Sequence, residues 1–581
     1  MSVRPLNLPI RVLTAALCAA LAAGCATVPE QPAPQPQPDA AALTIVAEIA
    51  LQRGDCRTAA ETYAKAAQIA SAPVAHRASE VALACQDLPA AWASAQRWRD
   101  LAPRSREAQA MYAAVALKLY WIADARAAVQ AFLLAPPSPK PLAARRHHGK
   151  ARPSPNSNSK DSGLADLTTL LLEQSDPTGV FAALNGVIDT ADASPARLTL
   201  LGELALEAYD ARSAERYALK AVRESPKSPQ ASRLLARAYV VLGQPAQAIA
   251  AARNLMREDP RRGMLELAEV YQDLGRVEDA HQELEQLRAA DAPRAEVDRR
   301  LAVLAYDSGD MQEAQQRFAD LAERGEADES TLMYLSDIAA RQGDVAAALA
   351  GYGKLADSSL GLEAREKAAA LLLASHHPQT ALTLLKGYAR QHPEEAVDLT
   401  VAEAQLFGDD GQTDEALKLL DAGLRSHPQH PSLQYERAII LEQAGRVSES
   451  VQALEQLLEQ RPGDPTLLNA LGYTLADHDM QLPRAELLIR RALAQMPDNP
   501  AVLDSLGWVR LRRGDAAGAL PPLQRAYDIS HDSQIAAHWG QALWAAGRKE
   551  AARKVWAEAL ARNPDSKSLR AVVARFVPNA K

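Results

Sequence analysis

Residues 469–530 read NALGYTLADHDMQLPRAELLIRRALAQMPDNPAVLDSLGWVRLRRGDAAGALPPLQRAYDIS, and one pattern runs through them twice. Leu471-Gly472-Tyr473 is answered 35 residues later by Leu506-Gly507-Trp508. Small Ala519 follows Gly507 by twelve residues, and Ala485 follows Gly472 by thirteen, so the first copy has one extra residue in its turn. Apolar residues around each small one recur at intervals of three and four, the period of an amphipathic helix. Gly514 ends one such run and Pro497 closes the first copy. Each copy predicts two helices joined by a tight turn.

The same signature extends outward over most of the chain. Small residues stand mid-way along successive predicted helices at Ala47, Ser79, Ala113, Gly202, Ala236, Ala268, Ala302, Ser336, Ala369, Ala404, Ala438, Gly472, Gly507 and Gly540. Apart from one gap, they are 32 to 35 residues apart. A second small residue follows nearly every one by twelve. Small residues let the two helices of a hairpin approach closely, while Phe318, Tyr352, Leu420, Leu454 and Trp556 fill the space between hairpins. Gly275, Gly309, Gly343, Gly411, Gly445, Gly514 and Gly547 stand where the first helix must end in a left-handed cap. Prolines such as Pro226, Pro260, Pro428 and Pro462 close units. A coiled coil would repeat every seven residues without regular breakers. The pattern resembles the tetratricopeptide repeat (TPR). It implies an all-α fold, a right-handed TPR α-solenoid of about 14–15 repeats.

The gap between Ala113 and Gly202 divides the chain. Residues 41–134 form an N-terminal repeat block and 164–565 a long C-terminal solenoid. Between them, 135–163 is rich in proline and carries Arg145, Arg146, His147, His148, Lys150 and Arg152. It has no apolar periodicity and predicts a disordered basic insertion. Residues 566–581 predict a capping helix and tail, which a solenoid needs to cover its last apolar face.

The N-terminus reads as a targeting signal. Arg4 and Arg11 precede a short apolar run, Val12 to Ala23, too short to span a bilayer. Leu21-Ala22-Ala23-Gly24-Cys25 resembles the lipobox of bacterial lipoproteins. The resemblance implies a signal peptide over 1–24, a lipidated Cys25, and, with Ala26 following it, delivery to the outer membrane facing the periplasm. Prolines at 29, 32, 34, 36 and 38 make 25–40 a semi-rigid tether. Net charge is −8 and no basic stripe of the nucleic-acid-binding kind is present, so nucleic acid is not expected as a partner. Aromatic residues are 4% of the chain, which argues against a large sheet.

Little in the chain points to chemistry. It contains no phosphate-binding Gly-rich loop with Lys-Ser/Thr, no H-E-x-x-H and no G-x-S-x-G motif. The His147-His148, His376-His377 and His427/His430 groups fall in the insertion or in turns, without the acidic or Cys partners a metal site needs. No catalysis, cofactor or metal is expected. Cys56 begins the second helix of the first repeat, and Cys85 ends the first helix of the second. Neighbouring antiparallel helices put both at the same end of the stack, which predicts a disulfide, with two separate buried thiols as the alternative. First helices line the concave face of a TPR solenoid. Residues one and four after the mid-helix small residue point into it: Tyr473, Trp508, Leu511, Gln541 and Trp544, with Asn469, Asp504 and Arg512 beside them. These are candidate partner-binding residues; the alternative is that they pack between helices.

The stretches Leu471–Asp477, Leu503–Trp508 and Ala536–Gly540, with Ala47–Asp55, resemble the large TPR outer-membrane lipoproteins of proteobacteria. One member of that family is the adaptor of a periplasmic carboxyl-terminal processing protease. The resemblance implies protein partners, namely that protease and substrates such as peptidoglycan hydrolases. The basic insertion departs from the family pattern. The other open reading is an assembly or export factor of the outer envelope: a pilotin-like, barrel-assembly or polysaccharide-export TPR lipoprotein.

Overall fold

The computed structural model describes residues 39–136, 159–188, 193–289, 294–392, 396–563 and 566–577. The segment read as signal peptide, Cys25 and tether, and most of the basic insertion, lie outside the described residues. The described residues form 31 helices and no strand. They pair into fifteen hairpins, from Ala40–Gln52 with Cys56–Ile69 to Ser533–Ala545 with Lys549–Arg562, and the helix Lys567–Phe576 closes the stack. No helix among the described residues is long and apolar enough to cross a membrane.

The hairpins form for local reasons. Gly309, Gly343 and Gly514 take positive φ and end their first helices. The next residue, Asp310, Asp344 or Asp515, then accepts a backbone N–H three residues on and starts the second helix. First helices start on Ser, Asp or Asn caps followed by proline, as at Ser228-Pro229, Asp464-Pro465 and Asn499-Pro500. The mid-helix small residues mark close approach. A Cβ on Gly507 would lie 2.3 Å from Leu523, and one on Gly540 would lie 1.9 Å from the Trp556 indole nitrogen. Phe318, Leu420, Leu454 and Trp556 are buried between hairpins.

Three local features differ from the sequence expectations. Pro260 opens helix Pro260–Asp273 instead of merely closing the previous one, because its fixed φ suits a first turn. A helix begins at Ser159, five residues before the expected start of the C-terminal solenoid, and pairs with the short helix Pro177–Leu184 as the fourth hairpin. Pro521 and Pro522 stand inside helix Ala516–Ser530. Pro522 offers no N–H to Gly518, and the Gly518 carbonyl accepts from Arg510 Nη1 at 2.8 Å instead.

The solenoid coils back onto itself. The turns inside hairpins lie along one edge of the ribbon and the turns between hairpins along the other. The first edge of the early hairpins meets the second edge of the late ones. At the fifth hairpin, the Asp498 N–H donates to the Tyr209 carbonyl at 2.8 Å, and the Ala211 N–H donates to Asp498 Oδ2 at 3.2 Å. Arg525 Nη2 donates to the Val241 carbonyl at 2.6 Å and to Asp498 Oδ1 at 3.0 Å. At the third hairpin, the Arg461 guanidinium stands 5.8 Å from the Tyr120 ring centre. At the second, the turn 85–87 shares a cavity with 426–430. The backbone records this seam. Gln86, Tyr120 and Tyr209 hold φ of 56°, 57° and 58° where most other hairpins place glycine. Left-handed geometry at a non-glycine costs about 1 kcal/mol or more, and these three turns all lie at the seam, although the seam turn at Gly243 keeps its glycine. His376 in the tenth hairpin and Asp479 in the thirteenth, with φ of 62° and 55°, do the same away from these contacts.

Candidate functional site

First helices of consecutive hairpins pack on one another, as Pro465–Asp477 does on Pro500–Arg512 and Pro500–Arg512 on Ser533–Ala545. They therefore form the inner, tighter side of the curve. Along this side a ladder of polar side chains links several first helices to the next. Arg300 reaches back to Glu269 at 3.2 Å, Lys367 to Asp337 at 2.8 Å, and Gln405 forward to Glu436 at 2.9 Å. Near the C-terminus, His478 Nε2 lies 2.7 Å from Glu442, and the Trp508 indole donates to Asp477 Oδ1 at 3.0 Å. Arg512 Nε donates to Asp479 at 3.0 Å, and His538 Nδ1 lies 2.9 Å from both oxygens of Asp504.

The residues named from sequence divide between this ladder and the core. Trp508, a candidate for partner binding from sequence with packing between helices as the alternative, is only 7% exposed. Its ring stacks on His538 with centres 4.1 Å apart, and its one donor is held by Asp477. Its apolar area is therefore spent on packing between hairpins, as are the carboxylate of Asp504 and the imidazole of His538. Tyr473 is half-buried, its hydroxyl accepts from Gln534 at 3.1 Å, and burial raises the pKa of that hydroxyl well above the ordinary phenol value. Asn469 is half-buried, and its Oδ1 has no hydrogen-bond partner. Leu511 and Gln541 are half-buried, and Arg512 lies 5.4 Å from the Trp508 ring centre. Trp544 belongs elsewhere. It lies 5.7 Å from Phe576 of the closing helix and 5.9 Å from Trp556, with Lys549 and Arg553 over its ring. The two tryptophans thus do not share one surface. The half-buried set around Asn469, Tyr473, Leu511, Arg512 and Gln541 is what the inner face offers a partner.

Sequence reasoning missed His538, Asp477 and Asp479 as members of the ladder. Their signal was present: His538 precedes Gly540 by two residues, and Asp477 follows Gly472 by five, so each shares a helix face with its neighbours in adjacent repeats. Glu442, Asp477 and His478 bring three ligand atoms within 4.8 Å of one another. Glu442 and His478 already satisfy each other, however, and the Arg512 guanidinium stands 3.8 Å from Asp477. The group works as a tie between repeats.

Several inner-face carboxyls are held above their ordinary range by burial. Glu266 is pushed up to about 7, with Glu269 adding to the burial effect and Arg233, Arg300 and Arg237 opposing it. Its Oε1 is buried without a hydrogen-bond partner. Burial and Glu269 likewise push Asp273 up to about 6, and burial pushes Glu403 up to about 7. Glu486 goes the other way. Burial raises it, but bonds to Arg490 and Arg513 outweigh that and hold it below the usual carboxylate range. Cys56 and Cys85, at facing hairpin ends, are joined as a disulfide with Cα atoms 5.3 Å apart.

Comparison with known proteins agrees with this geometry. A family model described as a tetratricopeptide repeat matches residues 199–262, 265–325, 299–360, 401–465 and 539–576. The fold is that of a tetratricopeptide-repeat solenoid. A TPR repeat-containing protein of Pseudomonas aeruginosa is 31% identical over 207 residues, which cover 36% of this chain and 35% of that protein. The solenoid is 30% identical over 133 residues to the CTR9 homolog of Arabidopsis thaliana, covering 22% of this chain and 12% of that one. The chain thus spans about a third or less of the length of these curated relatives. Among solved structures, a tetratricopeptide repeat protein from Parabacteroides merdae superposes on 42% of this chain and 97% of its own, at 15% identity and a TM-score of 0.33. Solenoids of this kind are protein–protein interaction scaffolds, generally without catalysis of their own.

Proposed function

We propose that this solenoid is a membrane-anchored adaptor that presents substrates, such as peptidoglycan hydrolases, to a periplasmic carboxyl-terminal processing protease. Cys25 carries the lipid and the Pro-rich segment to residue 40 holds the body off the outer membrane. The observation that carries the reading is the inner face of the last four hairpins. There the segments resembling the adaptor lipoproteins build one continuous ladder, through Glu442, Asp477, Asp504 and His538. Protein-sized partners fit a long curved face better than small substrates do. Holding protease and substrate on one scaffold raises their effective concentration by orders of magnitude without any new contact between them.

The test is degradation of a purified cross-link hydrolase by the purified protease, with and without the full-length lipoprotein. The lipoprotein should accelerate it, and Tyr473→Ala with Gln541→Ala should weaken the acceleration. Equal rates with and without the solenoid, across several candidate hydrolases, would favour the outer-envelope assembly or export reading. In parallel, labelled palmitate should enter the wild-type chain and not Cys25→Ala.

A further inference from the structure

The seam between early and late hairpins is not evenly filled. Where the loop 426–430 passes over the first two hairpins it leaves a cavity of about 560 Å³. Pockets of several hundred cubic ångströms are the size that small organic ligands fill. Its floor runs along helix Cys56–Ile69 from Cys56 to Gln68, a length of about 18 Å at the helical rise, so the space is a slot. The Cys56–Cys85 bond ties the two hairpins that form the floor. Ala64, Pro89, Ala90, Ala93 and Pro428 give the slot apolar walls.

One buried polar group in these walls has no partner, and one exposed ammonium in the same lining is unpaired among the described residues. His430 is 9% exposed, and its Nδ1 has no hydrogen-bond partner although the residue stands at the start of helix Pro431–Gln443. Lys65 lines the same slot with no ion-pair partner among the described residues. The other charges are spoken for: Arg57 pairs with Glu61 at 3.0 Å, and Asp87 caps the Ala90 N–H. Burial holds the His430 imidazole neutral, with its pKa pushed down to about 4, so Nδ1 is a neutral donor or acceptor and not a fixed cation. An apolar slot with an orphaned ring nitrogen in its wall and an exposed, unpaired ammonium in its lining suits an anionic, hydrogen-bond-accepting head and an apolar body.

We propose that the seam cavity binds a small amphipathic carboxylate of the long-chain fatty-acid class. The head takes Lys65 and the His430 Nδ1–H, and the chain lies along Ala64, Ala93 and Pro428. This site is separate from the inner-face ladder and goes beyond the scaffold reading. Each methylene buried in the slot should tighten binding roughly fourfold. Because floor and roof come from different superhelical turns, the bound ligand bridges the seam.

The experiment uses the full chain and dansyl-undecanoic acid as a fluorescent probe, competed by dodecanoate and by dodecanol. Dodecanoate should displace the probe, and dodecanol should compete about tenfold or more weakly, since it lacks the charge for Lys65. Lys65→Gln should erase that acid-over-alcohol preference. Ala93→Trp should block both competitors by filling the slot. Equal competition by acid and alcohol in the wild type would overturn the proposal, as would undiminished probe binding in Ala93→Trp. If Ala93→Trp does not fold, the preference lost or kept in Lys65→Gln, an exposed position, decides the matter. Protease stimulation is not read in this assay, so its outcome is independent of the adaptor reading.

Discussion

Asp498→Ala should unfasten the seam at the fifth hairpin. Asp498 clamps the turn 209–211 from the far side of the coil. Its backbone N–H serves the Tyr209 carbonyl, and its carboxylate accepts the first N–H of helix Ala211–Glu224 at 3.2 Å. The carboxylate therefore stands at the positive end of that helix dipole. It also holds Arg525, which reaches on to Val241. A charge-assisted bond to a backbone N–H contributes about 1.5–3 kcal/mol. The Asp498–Arg525 pair is partly exposed, and after screening it adds about 1 kcal/mol or less. The alanine variant should lose about 3 kcal/mol of local closing energy, which is roughly a hundredfold in the seam equilibrium. Amide hydrogen exchange reads it directly: protection at Ala211 and in the turn 240–243 should fall by about two orders of magnitude, while the hairpins between residues 294 and 354 stay unchanged. Unchanged protection at Ala211 would refute the seam as a fastening, and uniform loss throughout the chain would show that the change simply unfolds the protein.

Three further outcomes are expected. Trp508→Ala should destabilise the last three hairpins by about 3–5 kcal/mol, seen as an earlier thermal transition, because the ring is buried and its indole bond is lost. Glu266 has a native pKa of about 7 against an unfolded value near 4.5, so the native state holds a proton that the unfolded state has released between those values. Stability should fall by up to about 3 kcal/mol as pH rises through that window, and Glu266→Gln should flatten the dependence of melting temperature on pH. Thiol labelling of denatured, unreduced protein should find Cys56 and Cys85 blocked, and reduction should loosen the first two hairpins, where a cross-link over this separation is worth about 2–4 kcal/mol.

The hairpin architecture was legible because it is written in local chemistry. Gly343-Asp344 ends one helix and starts the next regardless of its neighbours, and Gly507 is small because Leu523 comes within a side chain's breadth of its backbone. The inner face was half legible. Spacing placed Trp508 and Tyr473 on first helices, but it could not say that Asp477 and His538 would take up the tryptophan's polar and stacking surfaces and leave Tyr473 more open. Those partners come from adjacent repeats, and only the crossing of helices decides which one reaches. The seam was not legible at all. Tyr209 and Asp498 are 289 residues apart, and the missing glycines at Gln86, Tyr120 and Tyr209 do not single the seam out, because His376 and Asp479 replace glycine in the same way in other turns.

A linear array of hairpins frays from its ends, because each unit answers only to its neighbours. Here Ala211 answers to Asp498 across 287 residues, and Val241 to Arg525 across 284. Peeling away the thirteenth and fourteenth hairpins therefore means breaking bonds held by the fifth and sixth. The closed coil turns an end into an interior and gives the unfolding of one half a cost that is registered in the other. A chain pulled from its C-terminus should therefore shed the closing helix and the fifteenth hairpin and then resist at Arg525 and Asp498 before it unzips further. During folding, that fastening forms last, after both stretches of ribbon are in place, because so long a loop is slow to close.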